Sequence, residues 1–466
     1  MDKNTDFAKL RELLVSFPKE PNSIKSQDWN IAFCNLLQTN YRENRDEYEE
    51  LWLPYCEAHK EILQQPIKRF GSIEELKQWT QIAPFAFFAL DLDIHFIGNE
   101  GCIALANSPY LENIQDLTLS NNSISGKGCE AVASSPYLKN LKYLDLDGNE
   151  ISTEGCIALA NSPNFKNLQE LYLSANQITN VGCVGLANSP HIRNLKHLGL
   201  GRNGISTEGC IALVNSPNFK NLQCLQLSAN LPGNEGYLAL ANSPYLKNLR
   251  ELGLDSTSMD SGDCKVLANS SNLQNLQRLH LNDNAIGDEG CIAFANSPQL
   301  KNLQELYLYN VKMSSKGCSA LANSPNLNEL RYLILSLNSI GDEGCIALAK
   351  SPHLKNLQKL HLNHNLIGDK GCIALANSSN TQNLEDLELG DNRIGDEGFV
   401  TLVNSPNLHN LRELELYDNE IIIEKELLLA TVKKYRMKVN CDKIESKELA
   451  RLIQRTMSQK EKVSFS

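Results

Sequence analysis

Cys56 and His59 stand three residues apart, with Cys34 upstream. A thiol and an imidazole could serve as a nucleophile with its base, or as half of a zinc site. No second ligand pair accompanies them, so ordinary packing is the preferred reading. His280, His361 and His364 raise the metal question again. No carboxylate or cysteine between them completes a ligand set, so no metal is expected. The chain has no phosphate loop, no serine-triad pattern and no complete metal motif. Neither catalysis nor a cofactor is expected, which leaves recognition.

Residues suited to recognition fall in register. At intervals of 27 stand Thr118, Asp145, Tyr172, Gly199, Gln226, Gly253, His280, Tyr307, Ile334, His361, Glu388 and Glu415. Two positions on, a second variable column includes Asp147, Asp255, Tyr309 and Tyr417. Variation confined to such columns is expected of a recognition surface on a rigid frame. Arg278, His280, Tyr307, Tyr309, Tyr332, His361 and His364 form an aromatic and imidazole patch, and Tyr and Arg are frequent interface anchors. The last copies are acidic, with Asp386, Glu388, Asp391, Glu413, Glu415 and Asp418. A smaller acidic group, Asp116, Asp145 and Asp147, lies near the start. Gly199, Gly201 and Gly253 leave the middle bare. The expected partner-binding residues are Tyr172, Arg278, His280, Tyr307, Tyr309, Tyr332, His361, His364, Glu388, Glu415 and Tyr417.

These columns belong to a repeat. Asn122, Asn149, Asn176, Asn203, Asn230, Asn284, Asn338, Asn365, Asn392 and Asn419 are spaced by 27, or by 54 where Thr257 or Val311 interrupts. With His95 one step upstream, 13 copies share one register. A strict period of this size specifies a solenoid. Leucines flanking each variable residue, as in Leu279-His280-Leu281, predict a short strand with leucines inward. The Asn amide is suited to bond the backbone of the turn and of the next copy. A helix follows, with Asn99, Thr153, Asn180, Thr207, Asn234, Ser261, Asp288, Ser315, Asp342, Asp369 and Asp396 as its expected N-caps. A glycine column (101, 128, 155 onward) permits close helix approach, and Pro after Asn-Ser ends the helix. The Thr257 and Val311 interruptions, with Asp263 in the glycine column, predict a local change in curvature.

Ten of the 14 cysteines occupy one column, where Tyr237 and Phe399 also stand. A position accepting Cys, Tyr or Phe is an apolar packing slot. Unpaired thiols suggest a reducing, cytoplasmic compartment. The net charge of -11 disfavours nucleic acid and suits a protein partner with a basic face. No apolar run is long enough to cross a bilayer, and no secretory signal opens the chain.

The run Leu-x-x-Leu-x-Leu-x-x-Asn-x-Ile, followed by Gly-Asp-Glu-Gly-Cys-Ile-Ala-Leu-Ala, resembles the ribonuclease-inhibitor-like class of leucine-rich repeats. It is also similar to the Gly-Ala-Leu-Ala variant of bacterial effectors. The resemblance implies an α/β solenoid, a horseshoe with a parallel concave sheet and outer helices; the residues ahead of it are read as a small α-helical domain. It implies protein binding on the concave sheet without catalysis. The near-identical copies, free cysteines and missing signal resemble effectors that intracellular bacteria deliver into host cells. The alternative is a ubiquitin-ligase-like adaptor whose helical domain recruits machinery.

Residues 1–84 do not repeat and hold all three tryptophans, Trp29, Trp52 and Trp79. Helices are expected around Phe7–Leu14, Asp28–Leu37 and Tyr48–Tyr55, with a capping box at Ser72–Glu75 opening a fourth. Residues 1–84 are read as a cap or docking domain, 85–421 as the solenoid, and 422–466 as a C-terminal cap and polar tail. That tail includes a helix to about Lys434, an edge strand at Met437–Asn440 and an amphipathic helix at Ser446–Met457. A monomer is expected.

Overall fold

Each repeat spends its leucines on one side of a three-residue strand, and the structure, a computed structural model, buries them all. Leu279, Leu281, Leu306, Leu308, Leu333 and Leu335 are at most 2% exposed. The described residues are Lys9, 33–38, Cys56, 68–82 and 88–422. They fall into two units. One comprises Met1–Ile205 and Ser216–Leu222, the other Ser206–Asn215 and Gln223–Ser466.

In the first unit six strands run parallel in chain order: β1 (Lys68–Phe70), β2 (Phe88–Asp91), β3 (Ile114–Thr118), β4 (Tyr143–Asp145), β5 (Glu170–Tyr172) and β6 (His197–Gly199). The second unit has eight: β7 (Cys224–Gln226), β8 (Glu251–Gly253), β9 (Arg278–His280), β10 (Glu305–Tyr307), β11 (Tyr332–Ile334), β12 (Lys359–His361), β13 (Asp386–Glu388) and β14 (Glu413–Glu415), again parallel in chain order. A helix follows each strand from β2 to β13, as in Gly287–Ala295 after β9. Parallel neighbours need such a crossover. This is the expected leucine-rich-repeat solenoid.

The asparagine column bonds as expected. Asn338 accepts from the amides of Val311 at 3.1 Å and Met313 at 3.0 Å. Its own amide donates to the carbonyls of Leu308 at 2.9 Å and Leu335 at 3.0 Å. One buried side chain thus satisfies backbone in two copies, where an orphaned group would cost more than a bond returns. At the first interruption Thr257 donates to Leu254 at 2.7 Å. The missing Asn carbonyl matters less here, because position 232, whose amide the pattern would bond, is Pro232 and has no N–H. The strands pair residue for residue through both interrupted copies, Glu251 with Arg278, Arg278 with Glu305 and Glu305 with Tyr332. The sequence irregularity therefore leaves no register irregularity.

The predicted N-cap column does something else. Thr153, Asp369 and Asp396 lie inside their own helices, whose caps are Ser152, Gly368 and Gly395. The column's side chains reach forward instead. Asp288 accepts from the amides of Ser314 at 2.8 Å and Gly317 at 2.9 Å in the next copy. Asp342 does the same for Gly368 and Gly371, and Asp369 for Gly395 and Gly398. Each carboxylate thus caps the following helix, because stacked coils bring that exposed N-terminus within reach while its own helix turns away. The glycine column gives this room: a Cβ on Gly317 would sit 2.7 Å from Asp288 Oδ1. Where Asp263 replaces glycine, the helix Ser261–Ala268 carries its own capping box with Asp260.

The Asn-Ser-Pro element also works between copies. Ser135 Oγ donates to the Ala106 carbonyl at 2.7 Å, and Ser162, Ser216, Ser270 and Ser297 each make the same bond to the copy before their own. It satisfies a carbonyl at the end of the preceding helix.

The sheet begins before the first 27-residue copy. β1 pairs with β2, and the Phe70 and Phe88 rings meet edge-on at 5.5 Å. Helix Ile73–Ile82 opens as expected, with the Glu75 amide on Ser72 Oγ at 3.3 Å. Residues 33–38 are helical with Phe33 and Leu37 fully buried. The helices expected at Phe7–Leu14 and Tyr48–Tyr55, Trp29 and Trp52, and all elements beyond residue 422 lie outside the described residues.

Candidate partner-binding surface

Alternation puts the residues before, between and after the two strand leucines on the solvent face. In the second unit the register then fixes rows across strands. One row runs Arg278, Glu305, Tyr332, Lys359, Asp386, Glu413, and the next His280, Tyr307, Ile334, His361, Glu388, Glu415. Neighbours in a row are about 4.8 Å apart. Spacing in the chain therefore becomes contact in the fold.

Arg278, His280, Tyr307 and Tyr332 do come together. The His280 and Tyr307 rings stack at 4.2 Å, 12° from parallel. Tyr307 donates to Glu305 at 2.8 Å. Glu251 holds Arg278 through Nε at 2.6 Å. The same carboxylate is 3.8 Å from His280 Nε2, too far for a hydrogen bond, and that buried nitrogen has no hydrogen-bond partner among the described residues. Lys359 sits over the Tyr332 ring at 5.4 Å. Tyr309 stands in the third row, 37% exposed. Burial and the Glu305 carboxylate push the Tyr307 hydroxyl well above its usual pKa, so it stays a donor.

His361 faces carboxylates, not other histidines. Its Nε2 is 3.2 Å from Asp386 and its Nδ1 is 3.3 Å from Glu388. These acids lie on the next strand, so inspection between the histidines in sequence misses them. That removes the stated reason for expecting no ligand set. Asp386 feels burial most, which raises its pKa, but His361 and then Lys359 outweigh it and hold the carboxyl below its usual value. Burial raises Glu388, opposed by His361 and reinforced by Glu415. Tyr417 covers Gly390, where a Cβ would lie 2.4 Å from the ring. His364 stands apart in the turn, with φ of 55°, paired with Asp391 at 3.0 Å.

The glycine-bearing middle is not bare. Gln226 lies over Gly253, and in the first unit Tyr172 lies over Gly199. Tyr172 belongs to a separate cluster: its ring is 5.4 Å from that of Tyr143, and its hydroxyl bonds Glu170 at 3.1 Å. Nearby, burial lifts Asp116 and Asp147 to about 6, with Asp145 reinforcing the effect on Asp147. Glu251, Glu305 and Lys359, absent from the sequence reading, also shape the surface. The 27-residue step from Arg278 and Tyr332 points to all three.

The sequence comparison agrees with this repeat architecture. A family described as Leucine Rich repeat matches residues 110–133, 137–160, 166–187, 191–214, 272–295, 327–349, 353–376 and 380–403. No curated protein matches the sequence. Among solved structures, an internalin from Listeria monocytogenes is similar at 23% identity and a TM-score of 0.46, over 73% of this chain and 94% of its own. The Rad7 and Elc1 complex in yeast is similar at 16% identity and a TM-score of 0.49, over 87% of this chain and 96% of the other. Among the described residues, no helix is long and apolar enough to cross a membrane. Leucine-rich repeats generally serve as non-enzymatic scaffolds for protein–protein interaction.

Proposed function

We propose that this protein is a non-enzymatic scaffold that binds a partner protein on the strand face of its second unit. An apolar or aromatic element of the partner docks on the His280–Tyr307–Tyr332 patch, and a basic element on the carboxylates of β13 and β14. The supporting observation is the unbroken run of His280, Tyr307, Tyr332 and His361 on adjacent strands of a hydrogen-bonded frame. The described cysteines are all free and buried, which supports action in a reducing cytoplasm. The repeat's likeness to bacterial effectors supports delivery into a host cell. The test is the triple change Tyr307→Ala, Tyr309→Ala and Tyr332→Ala. Quantitative affinity capture should lose the partners held by wild type while circular dichroism stays unchanged. Undiminished capture by a folded triple variant rejects the patch as the anchor.

A further inference from the structure

We propose that His361, Asp386 and Glu388 form a binding site for a divalent transition-metal ion of the zinc class, open to the strand face. One imidazole nitrogen and one oxygen from each acid lie within 4.8 Å of one another. Metal–ligand bonds of about 2.1 Å in a tetrahedral shell put ligand atoms about 3.4 Å apart. His361 meets the two acids through different nitrogens, Nε2 3.2 Å from Asp386 and Nδ1 3.3 Å from Glu388, so one carboxylate must swing to the nitrogen that binds the ion for the shell to close. The backbone is fixed beneath them: His361 pairs with Glu388, and Asp386 lies two residues before it on the same face.

The support resembles an outer coordination shell. Asn363 donates to Glu388 at 2.6 Å and accepts the Gly390 amide at 2.6 Å, which holds its amide in place. Such partners orient metal-binding carboxylates. Charge also favours a dication. Asp386, Glu388 and Glu415 bring three negative charges, and Lys359, 3.5 Å from Asp386, returns one. An imidazolium would leave a residual negative charge, whereas a divalent ion beside a neutral imidazole cancels it. The imidazole and carboxylate donors suit Zn²⁺ or Co²⁺ better than Ca²⁺. Three protein ligands leave a fourth position for water or a partner side chain.

The experiment titrates chelator-treated full-length protein with Co²⁺ by absorption and with Zn²⁺ by calorimetry. One equivalent should bind, with a visible d–d band and no thiolate charge-transfer band. His361→Ala and Glu388→Gln should each weaken binding at least tenfold, while His409→Ala, at an exposed histidine elsewhere, should leave it unchanged. Glu388→Gln preserves side-chain shape and decides the question if His361→Ala fails to fold. Absence of saturable binding, binding that survives Glu388→Gln, or a thiolate band each overturns the proposal. A pinned imidazolium without metal affinity gives the first of these.

Discussion

Replacing Asp288 with alanine should loosen the helix after its own. Asp288 Oδ1 accepts from Ser314 N and Gly317 N, and Oδ2 accepts from Ser314 Oγ at 2.6 Å. Loss of an N-cap costs about 1 kcal/mol, and bonds to a charged acceptor are worth more. Together they give about 2 kcal/mol. Asp288→Asn keeps the acceptor and loses the charge near a helix N-terminus, about 0.5–1 kcal/mol. Because repeats couple mainly to their neighbours, the loss should be local. Amide hydrogen exchange is the assay. Ser314 and Gly317 should lose protection in Asp288→Ala, while Gly290 and Cys291 keep theirs. Burial raises the Asp288 pKa, but the bonds from Ser314 and Gly317 and the charge of Lys316 outweigh it, leaving it depressed. A depressed carboxyl stabilises the fold above its unfolded pKa of about 4, and that contribution disappears as pH falls through the folded value. The wild-type advantage over Asp288→Asn should therefore shrink below about pH 4. Exchange rising at Gly290 and Cys291 instead would show that Asp288 caps its own helix, and would refute the reasoning.

In the first unit, Asp116 and Asp147 titrate near 6, above their unfolded value of about 4, so the folded state binds protons more readily in that window. Its stability should rise as pH drops from about 6 to about 4, a gain that Asp147→Asn should reduce; equilibrium urea titrations monitored by hydrogen exchange in that unit would measure it. Asn338→Ala, which removes bonds to five backbone groups in two copies, should cost about 3 kcal/mol or more. Thr257→Ala should cost about 1 kcal/mol, since its closest bond is one donated hydroxyl. Calorimetric unfolding of the two variants would compare them. Deleting residues 1–84 removes β1 and helix Ile73–Ile82 and uncovers Phe88, so the shortened chain should aggregate at concentrations where the full chain does not, as light scattering would report.

The repeat was legible because its period is strict and each column has one physical task. The inward leucines, the Asn bonds and the apolar cysteine slot follow from residue type alone. The capping partner of Asp288 did not, because an N-cap residue looks the same whether the helix it serves is its own or one copy further on. β1 was hidden for another reason: Lys68–Phe70 lies 20 residues before β2, outside the 27-residue step, and carries no leucine pair. For the surface, the columns identified the residues but not their pairings. His361 meets Asp386 and Glu388 because parallel register converts a separation of 25 or 27 residues into adjacency. Gly253 reads as bare in sequence, yet the long Gln226 side chain of the neighbouring strand fills the space above it.

The account rests on the strand face, not the helices, meeting the partner. A photo-crosslinking amino acid placed at Tyr309, on the strand face, and separately at exposed Lys316, on helix Ser315–Ala322, asks this directly. Crosslinking to the captured partner from position 309 and not from 316 is the expected result. Crosslinking from 316 with none from 309 would contradict it.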